Sequence, residues 1–363
     1  MQKKGILPTI KSYTYTRILP IMQTNAPAQV SIPPGKELQQ PIAVICDLMT
    51  WKNLRHEHHL ISLTPQTWHK ILDKRSAQKV KFFFCESAWS GIENACWRGQ
   101  IYKDERVFHE NRRELLKILD VCKSDKIPTV FWAKEDPVYF QDPIYNFTDT
   151  ALRFDYILTT AEECIKKYRA LGHNHTHLWT FGFSPKIYHP PDDLEKPREP
   201  VAVFAGSWYT DHPRRCADLS YIFDMLSSAG IPFRIYDRHR ALGYSTKPFP
   251  DKYQPYVQDA VSYKELGNIY RSVKYAINVN TISDSATMFA RRVYEIMACG
   301  CIVVSNESVG MRRQFNNRIW FAGDNFDFDN INHLRKVNID TVFAEHTVEQ
   351  RMQQLYTLIG CES

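Results

Sequence analysis

The segment from Ala290 to Gly300 reads A-R-R-V-Y-E-I-M-A-C-G. Arg291 and Glu295 are spaced i,i+4 and Arg292 and Glu295 i,i+3, so either pair can share one helix face. Two readings are open. One is an exposed ion pair worth about 0.3–0.5 kcal/mol. In the other, an arginine fork faces a diphosphate while the carboxylate accepts both hydroxyls of a ribose. A second set of groups is acidic. Asp47 follows the run IAVIC, Glu86 follows KFFFC, and Glu135 and Asp136 follow PTVFWAK. Carboxylates gathered at one rim can orient a hydroxyl and take its proton. Each alone can equally be structural.

These groups need elements to hold them. Tyr275–Val279 is a short apolar run of strand formers, and Cys301–Val304 is another. Between them, Ser283, Asp284 and Ser285 are helix-capping types, and apolar residues recur at Ala286, Phe289, Val293 and Ile296. The expectation is a strand, a helix from Ala286 and a second strand, with Gly300 closing the helix at positive φ. In such a βαβ unit, ligands bind where the first strand ends and the helix begins.

Upstream, the runs Ile42–Cys46, Lys81–Phe84, Pro128–Trp132, Phe154–Thr159 and Thr176–Thr180 alternate with helical patterns. Those patterns span about Thr64–Arg75, Val107–Lys123 and Ala161–Leu171. This alternation predicts an α/β fold with a doubly wound parallel sheet. The acidic ends of three strands then meet at one edge. Tyr13–Arg17 can form an edge strand within a proline-rich lead-in over residues 1–38. The stretch Ser184–Pro200 holds five prolines and many charges, and reads as a linker. The expected organisation is a first domain over 39–185, a linker over 186–200, a second domain over 201–345 and a terminal helix over 346–363. In the second domain Val201–Ala205 is followed by Gly206 and Ser207, where backbone can approach a phosphate, or where the chain makes a tight turn. Arg214 and Arg215 are further phosphate candidates. Asp218–Ser228 reads as a helix, Phe233–Tyr236 as a strand ending at Asp237, Tyr244–Val257 as a loop and Tyr263–Ser272 as a helix.

A formal charge of +6 over 363 residues suits an anionic small ligand and lacks the concentrated basic stripe of a nucleic-acid binder. The nine cysteines follow no zinc-type spacing and read as reduced thiols of a cytoplasmic protein. His56, His58 and His59 stand in H-E-H-H, which lacks metal-site spacing, so the expectation is no metal; a polar loop, an acceptor contact or a base are the readings. No apolar run reaches the ~20 residues of a membrane span. Peripheral attachment at the inner face of a membrane stays open.

The run D-S-x-x-M-F-x-R-R-V-x-E…A-C-G, formed by Asp284, Ser285, Met288, Phe289, Arg291, Arg292, Val293, Glu295 and Ala298 to Gly300, resembles the C-terminal signature of group 1 (GT4-like) GT-B glycosyltransferases. The resemblance is to their CgeB-like spore-maturation and surface-polysaccharide branch. E-S-A-W-x-G from Glu86, F-A-G-S from Phe204 with P-x-R from Pro213, and E-H-T-x-x-x-R from Glu345 extend it over residues 40 to 355. It implies two Rossmann-like domains facing a cleft, with the terminal helix crossing back to the first. It also implies a nucleotide-diphosphate sugar as donor and no further cofactor. Glu295 would stand at the ribose, with Gly206, Ser207, Arg214, Asp237, Asp284, Thr287, Arg291 and Arg292 around the donor. Thr287 occupies the place of a second glutamate that many group 1 enzymes carry, eight residues before Glu295. The expected reaction is metal-independent transfer of a sugar to a glycan or other surface polymer. Arg292 would support the leaving diphosphate, and Glu135 or Asp136 the acceptor. The alternatives are a nucleotide-sugar epimerase or a non-catalytic nucleotide-sugar-binding protein. A DNA-modifying sugar transferase finds no basic stripe to support it.

Overall fold

The structure, a computed structural model, describes residues 27–73, 79–238, 240 and 248–361. Tyr13–Arg17 lies outside them. The first half contains β1 (Val30–Ser31), β2 (Ile42–Ile45), α1 (Leu48–Leu54), β3 (Leu60–Ser62), α2 (Trp68–Ile71) and β4 (Phe83–Glu86). It continues with α3 (Arg113–Asp125), β5 (Thr129–Ala133), α4 (Phe147–Ala151), β6 (Tyr156–Thr159), α5 (Glu162–Ala170) and β7 (Thr176–Leu178). These strands form a 7-stranded sheet in the order β1-β3-β2-β4-β5-β6-β7. Only the β1–β3 pairing is antiparallel. β2 is buried along its whole length, as a parallel strand covered on both faces must be.

The second half contains β8 (Glu199–Ala205), α6 (Pro213–Ser228), β9 (Phe233–Asp237), β10 (Val257–Asp259), α7 (Tyr263–Ser272), β11 (Val273–Asn278), α8 (Arg292–Ala298) and β12 (Ile302–Ser305). After these come α9 (Val309–Phe315), β13 (Trp320–Phe321), α10 (Ile331–Glu345) and α11 (Val348–Ile359). Its 6-stranded sheet runs β10-β9-β8-β11-β12-β13 and is parallel throughout. The chain is therefore the α/β pair of Rossmann-like sheets expected, with apolar clusters on both faces of each sheet. α11 leaves its own sheet: Val348, Met352, Leu355, Tyr356 and Ile359 pack against Ile42, Phe82, Phe84 and Trp179 of the first. Thr347 and Gln350 make a capping box at its start, and Gly360 closes it at φ 68°.

Several local expectations change. Ala286 does not begin a helix; α8 starts at Arg292. Residues 281–291 stay irregular because side chains satisfy their backbone: Ser285 Oγ accepts from the N–H of Met288 at 3.0 Å, and Asn280 Oδ1 from that of Ala290 at 3.0 Å. α3 starts at Arg113 rather than Val107, because the preceding residues bury Arg112 against Glu110 and Asp149 at 2.8 and 2.7 Å. α6 starts earlier than Asp218, with Pro213 in its first turn. The helix expected from Thr64 reduces to α2, before residues outside the description. Part of the expected loop Tyr244–Val257 is also undescribed, and its end is strand β10.

The irregular loop also ties the halves together. Thr287 Oγ donates to the Thr160 carbonyl at 2.9 Å and accepts from the Glu162 N–H at 2.9 Å. Met288 packs against the first domain's core. We expect Thr287→Val to weaken this closed arrangement by about 1–3 kcal/mol, the net value of two hydrogen bonds. Small-angle scattering should then show a larger radius of gyration; an unchanged curve would remove the latch role. The nearby Arg313–Glu162 pair is exposed and adds little.

Candidate active site

Both sheets turn their carboxyl ends toward one another across a cleft of about 380 Å³. From the second domain it is lined by Ala205, Gly206, Tyr236, Arg238, Tyr263, Arg291, Arg292 and Glu295, among others. From the first come Met49, Thr50, Lys134, Glu135 and Phe181. The size suits a nucleotide-scale ligand.

On the second-domain wall, Arg291 Nε donates to Glu295 Oε1 at 2.6 Å. The side chains are 12% and 4% exposed, which excludes the reading of a solvated surface pair. Burial opposes charge on Arg291, but the Glu295 carboxylate outweighs it and holds the guanidinium protonated. Arg292 lies over the Phe204 ring, 5.4 Å from its centroid, and beside Gly206. A Cβ at 206 would meet Phe204 Cζ at 2.8 Å, so any larger residue there would have to displace the buried Phe204 ring. Arg215 is buried behind this point and donates to the Ser207 carbonyl at 3.1 Å. Burial, with Arg292 as the next cause, lowers its pKa to about 10. Ser207 Oγ is buried without a hydrogen-bond partner among the described residues. Two neighbouring guanidiniums, Arg292 in the lining and Arg215 buried behind it, make this part of the wall electropositive, which suits an anion.

The remaining donor-side candidates divide. The Gly206 N–H is already donated to the Tyr236 carbonyl at 3.1 Å, so it is not a phosphate donor as expected. Asp237 is buried at the end of β9, between the lining residues Tyr236 and Arg238. Arg214 and Asp284 are exposed and outside the lining, and Thr287 points to the first domain.

The opposite wall is an acid-base network. Asp47 Oδ1 accepts from the N–H groups of Ser90 and Gly91 at 2.9 and 3.0 Å. Its Oδ2 accepts from Trp89 N–H at 2.9 Å and Lys134 Nζ at 3.0 Å. Burial works against this carboxylate, yet Lys134 and the Trp89 and Ser90 N–H groups hold its pKa below the usual range. Glu86 is fully buried and accepts from Lys134 Nζ at 2.8 Å, Asp47 N–H at 2.6 Å and Thr50 Oγ at 2.5 Å. Asp47 and Glu86 are therefore committed to anchoring a loop and a lysine. Glu135 lines the cleft, with Oε1 accepting from Trp89 Nε1 at 3.0 Å. Burial raises its pKa, against the pull of Lys134 and Trp89. Asp136 is 3% exposed and outside the lining; it accepts from Thr159 Oγ at 2.7 Å, and burial pushes its pKa up to about 7. So Glu135 faces the cleft and Asp136 lies behind it.

The histidines go separate ways. His58 Nδ1 meets Tyr356 OH at 3.2 Å under α11, and His59 Nδ1 meets the Gln39 carbonyl at 2.8 Å. Neither lines the cleft, nor does His56. Lys134 and Tyr263 line it without having been singled out in the sequence. The strand-end position of Lys134, one residue before Glu135, was the available signal for it.

Residues 220–357 match the family of glycosyl transferase-like domains. No curated protein matches the chain. Among solved structures, an alpha-glucosyltransferase in complex with UDP-glucose and DNA containing an abasic site is similar at TM-score 0.53 and 11% identity, covering 88% of this chain and 91% of that one. Anabaena HepE in complex with UDP-glucose is similar at TM-score 0.50 and 12% identity, over 86% and 89%. A glycosyltransferase from Rickettsia africae is similar at TM-score 0.52 and 11% identity, over 88% and 90%. The chain has the GT-B architecture of two facing Rossmann-like domains.

Proposed function

We propose that this chain is a glycosyltransferase that moves a sugar from a nucleotide-diphosphate donor, with UDP as the carrier, to a hydroxyl of a glycan acceptor. One observation carries the reading: Arg292, Gly206 and the Arg291–Glu295 pair on one wall face Glu135 on the other, across a single cleft. The family match over the second domain and the UDP-glucose in two structures of like fold support it.

The donor diphosphate lies against Arg292, with the buried Arg215 adding positive charge from behind it, and its ribose hydroxyls lie against the Glu295 carboxylate. As the acceptor oxygen bonds to the anomeric carbon, the carbon–oxygen bond to the diphosphate breaks and its electron pair leaves on phosphate. Arg292 and Arg215 stabilise that charge from fixed positions. The acceptor proton passes to Glu135, whose raised pKa suits it to accept one. The arginines take the charge-stabilising part, so turnover proceeds without a divalent cation. The acceptor is a surface glycan, in keeping with the E-S-A-W-x-G and D-S-x-x-M-F-x-R-R-V-x-E runs. The DNA in one structure of like fold belongs to that protein.

The test is a thermal-shift screen in EDTA against UDP-, GDP-, ADP-, TDP- and CMP-sugars. A bound donor stabilises the fold by mass action, by about 2.7 kcal/mol at a hundred times Kd. UDP-sugars should raise Tm and release UDP on incubation with glycan acceptors. No shift with any donor would overturn the proposal. A shift with no turnover on any acceptor, and no donor hydrolysis, would favour a binding protein.

A further inference from the structure

Trp89 belongs to no part of the donor site, yet its indole N–H is aimed at Glu135, with Nε1 3.0 Å from Oε1. The ring is held on several sides. Tyr139, Tyr145 and Phe147 meet it edge-to-face at 5.1, 5.2 and 5.4 Å, and Tyr102 lies 6.1 Å away. Such packing fixes the indole rotamer. Its backbone is fixed too, because one carboxylate, Asp47, collects the N–H groups of Trp89, Ser90 and Gly91. The same segment holds Glu135 from its other end, where Ser87 Oγ accepts the Glu135 N–H at 3.2 Å.

We propose that Trp89 is a positioning residue: its indole N–H fixes the orientation of the Glu135 carboxylate and sets the pH at which that carboxylate takes a proton. The inference deepens the reading of Glu135 as the group facing the acceptor, and rests on it. An N–H bonded to the ionised form favours that form, which lowers the pKa. The charged groups around Glu135 are Lys134, which also favours ionisation, and Glu86 and Asp47, which oppose it; the adjacent Asp136, whose own pKa Glu135 helps to raise, also repels a second charge. The Tyr139 hydroxyl stands nearby and is itself held protonated, by burial first and then by Glu135. Trp89 is thus a neutral donor opposing burial and two fixed acids. Asp47 and Glu86 act one step further back, by anchoring the loop and the lysine.

The test reads Glu135 directly in the ligand-free full chain. Glutamate is labelled with ¹³C at its carboxyl, and the Glu135 resonance is the one that disappears in Glu135→Gln. Trp89→Phe keeps the ring and removes the N–H. The Glu135 titration should then move upward by about one unit. An unmoved titration in folded Trp89→Phe overturns the proposal. A second measurement needs no change at 89. With 5-fluorotryptophan incorporated, one ¹⁹F resonance should follow the Glu135 titration and lose that dependence in Glu135→Gln. If no tryptophan resonance does so, the proposal also fails. Should Glu135→Gln keep full turnover, the acceptor role of Glu135 is lost, while the titrations still decide whether Trp89 governs its proton.

Discussion

Arg292→Ala cuts the donor-induced thermal shift by half or more while leaving the ligand-free protein as stable as before, or more so. The guanidinium has no carboxylate partner among the described residues; its contact is the Phe204 ring at 5.4 Å. Its charge is among the causes that depress the pKa of Arg215 to about 10, after burial. Removing it relieves that repulsion, and the ligand-free Tm should not fall. In the complex, the same guanidinium makes charge-assisted bonds to the diphosphate worth about 1.5–3 kcal/mol. Affinity for the donor should therefore drop about 10- to 100-fold, read as a Kd by calorimetry with UDP-glucose. The opposite pattern is expected at the neighbouring pair. Glu295→Ala leaves Arg291 buried without its carboxylate, a change that costs about 3–5 kcal/mol of stability in a buried pair. A test of donor binding through Glu295 would be confounded by stability, and one through Arg292 is not. A wild-type shift in Arg292→Ala would take Arg292 out of the diphosphate site.

The contrast between those two arginines was only half legible in the sequence. The spacing of Arg291, Arg292 and Glu295 permits both pairings, and only the structure shows which one forms. Elements that carry local signals came through. α7 has Ser262 and Glu265 in a reciprocal capping box, and Gly300 takes φ 65°. The helix start at Ala286 did not, although Ser283, Asp284 and Ser285 are capping types. Ser285 caps nothing helical; it satisfies the N–H groups of an irregular loop, and Thr287 reaches to Thr160 and Glu162. Contacts between residues more than a hundred positions apart leave no periodic trace. β3 and β10, three residues each, are too short for one as well. Acidic residues at strand ends were legible as a group, but not in their separate roles. Asp47 and Glu86 are spent on Lys134 and backbone N–H groups, and Asp136 on Thr159. Glu135 is left facing the cleft, and that distinction is one of side-chain direction.

Glu135→Gln lowers kcat by about 10²- to 10⁴-fold, the range for losing a positioned general base, and leaves donor affinity near the wild-type value. The amide keeps the size of the side chain, and its oxygen can still accept from Trp89 Nε1. The variant therefore isolates proton transfer from packing. It also discriminates between neighbours: Asp136→Asn, behind the cleft and bonded to Thr159, should retain turnover. The pH dependence carries a sign. Burial raises the Glu135 pKa, so the wild-type rate rises with pH along a limb displaced above the ordinary glutamate range. In Glu135→Gln that limb disappears, and the residual rate is flat there. Rates are best read as UDP release at saturating UDP-glucose and glycan, since a change in KM alone would report binding. A wild-type kcat in Glu135→Gln would place the acceptor's proton elsewhere on the first-domain wall. Among the described residues the only other titratable group lining that wall is Lys134, which Asp47 and Glu86 hold protonated, so that the proton would then have to leave through solvent.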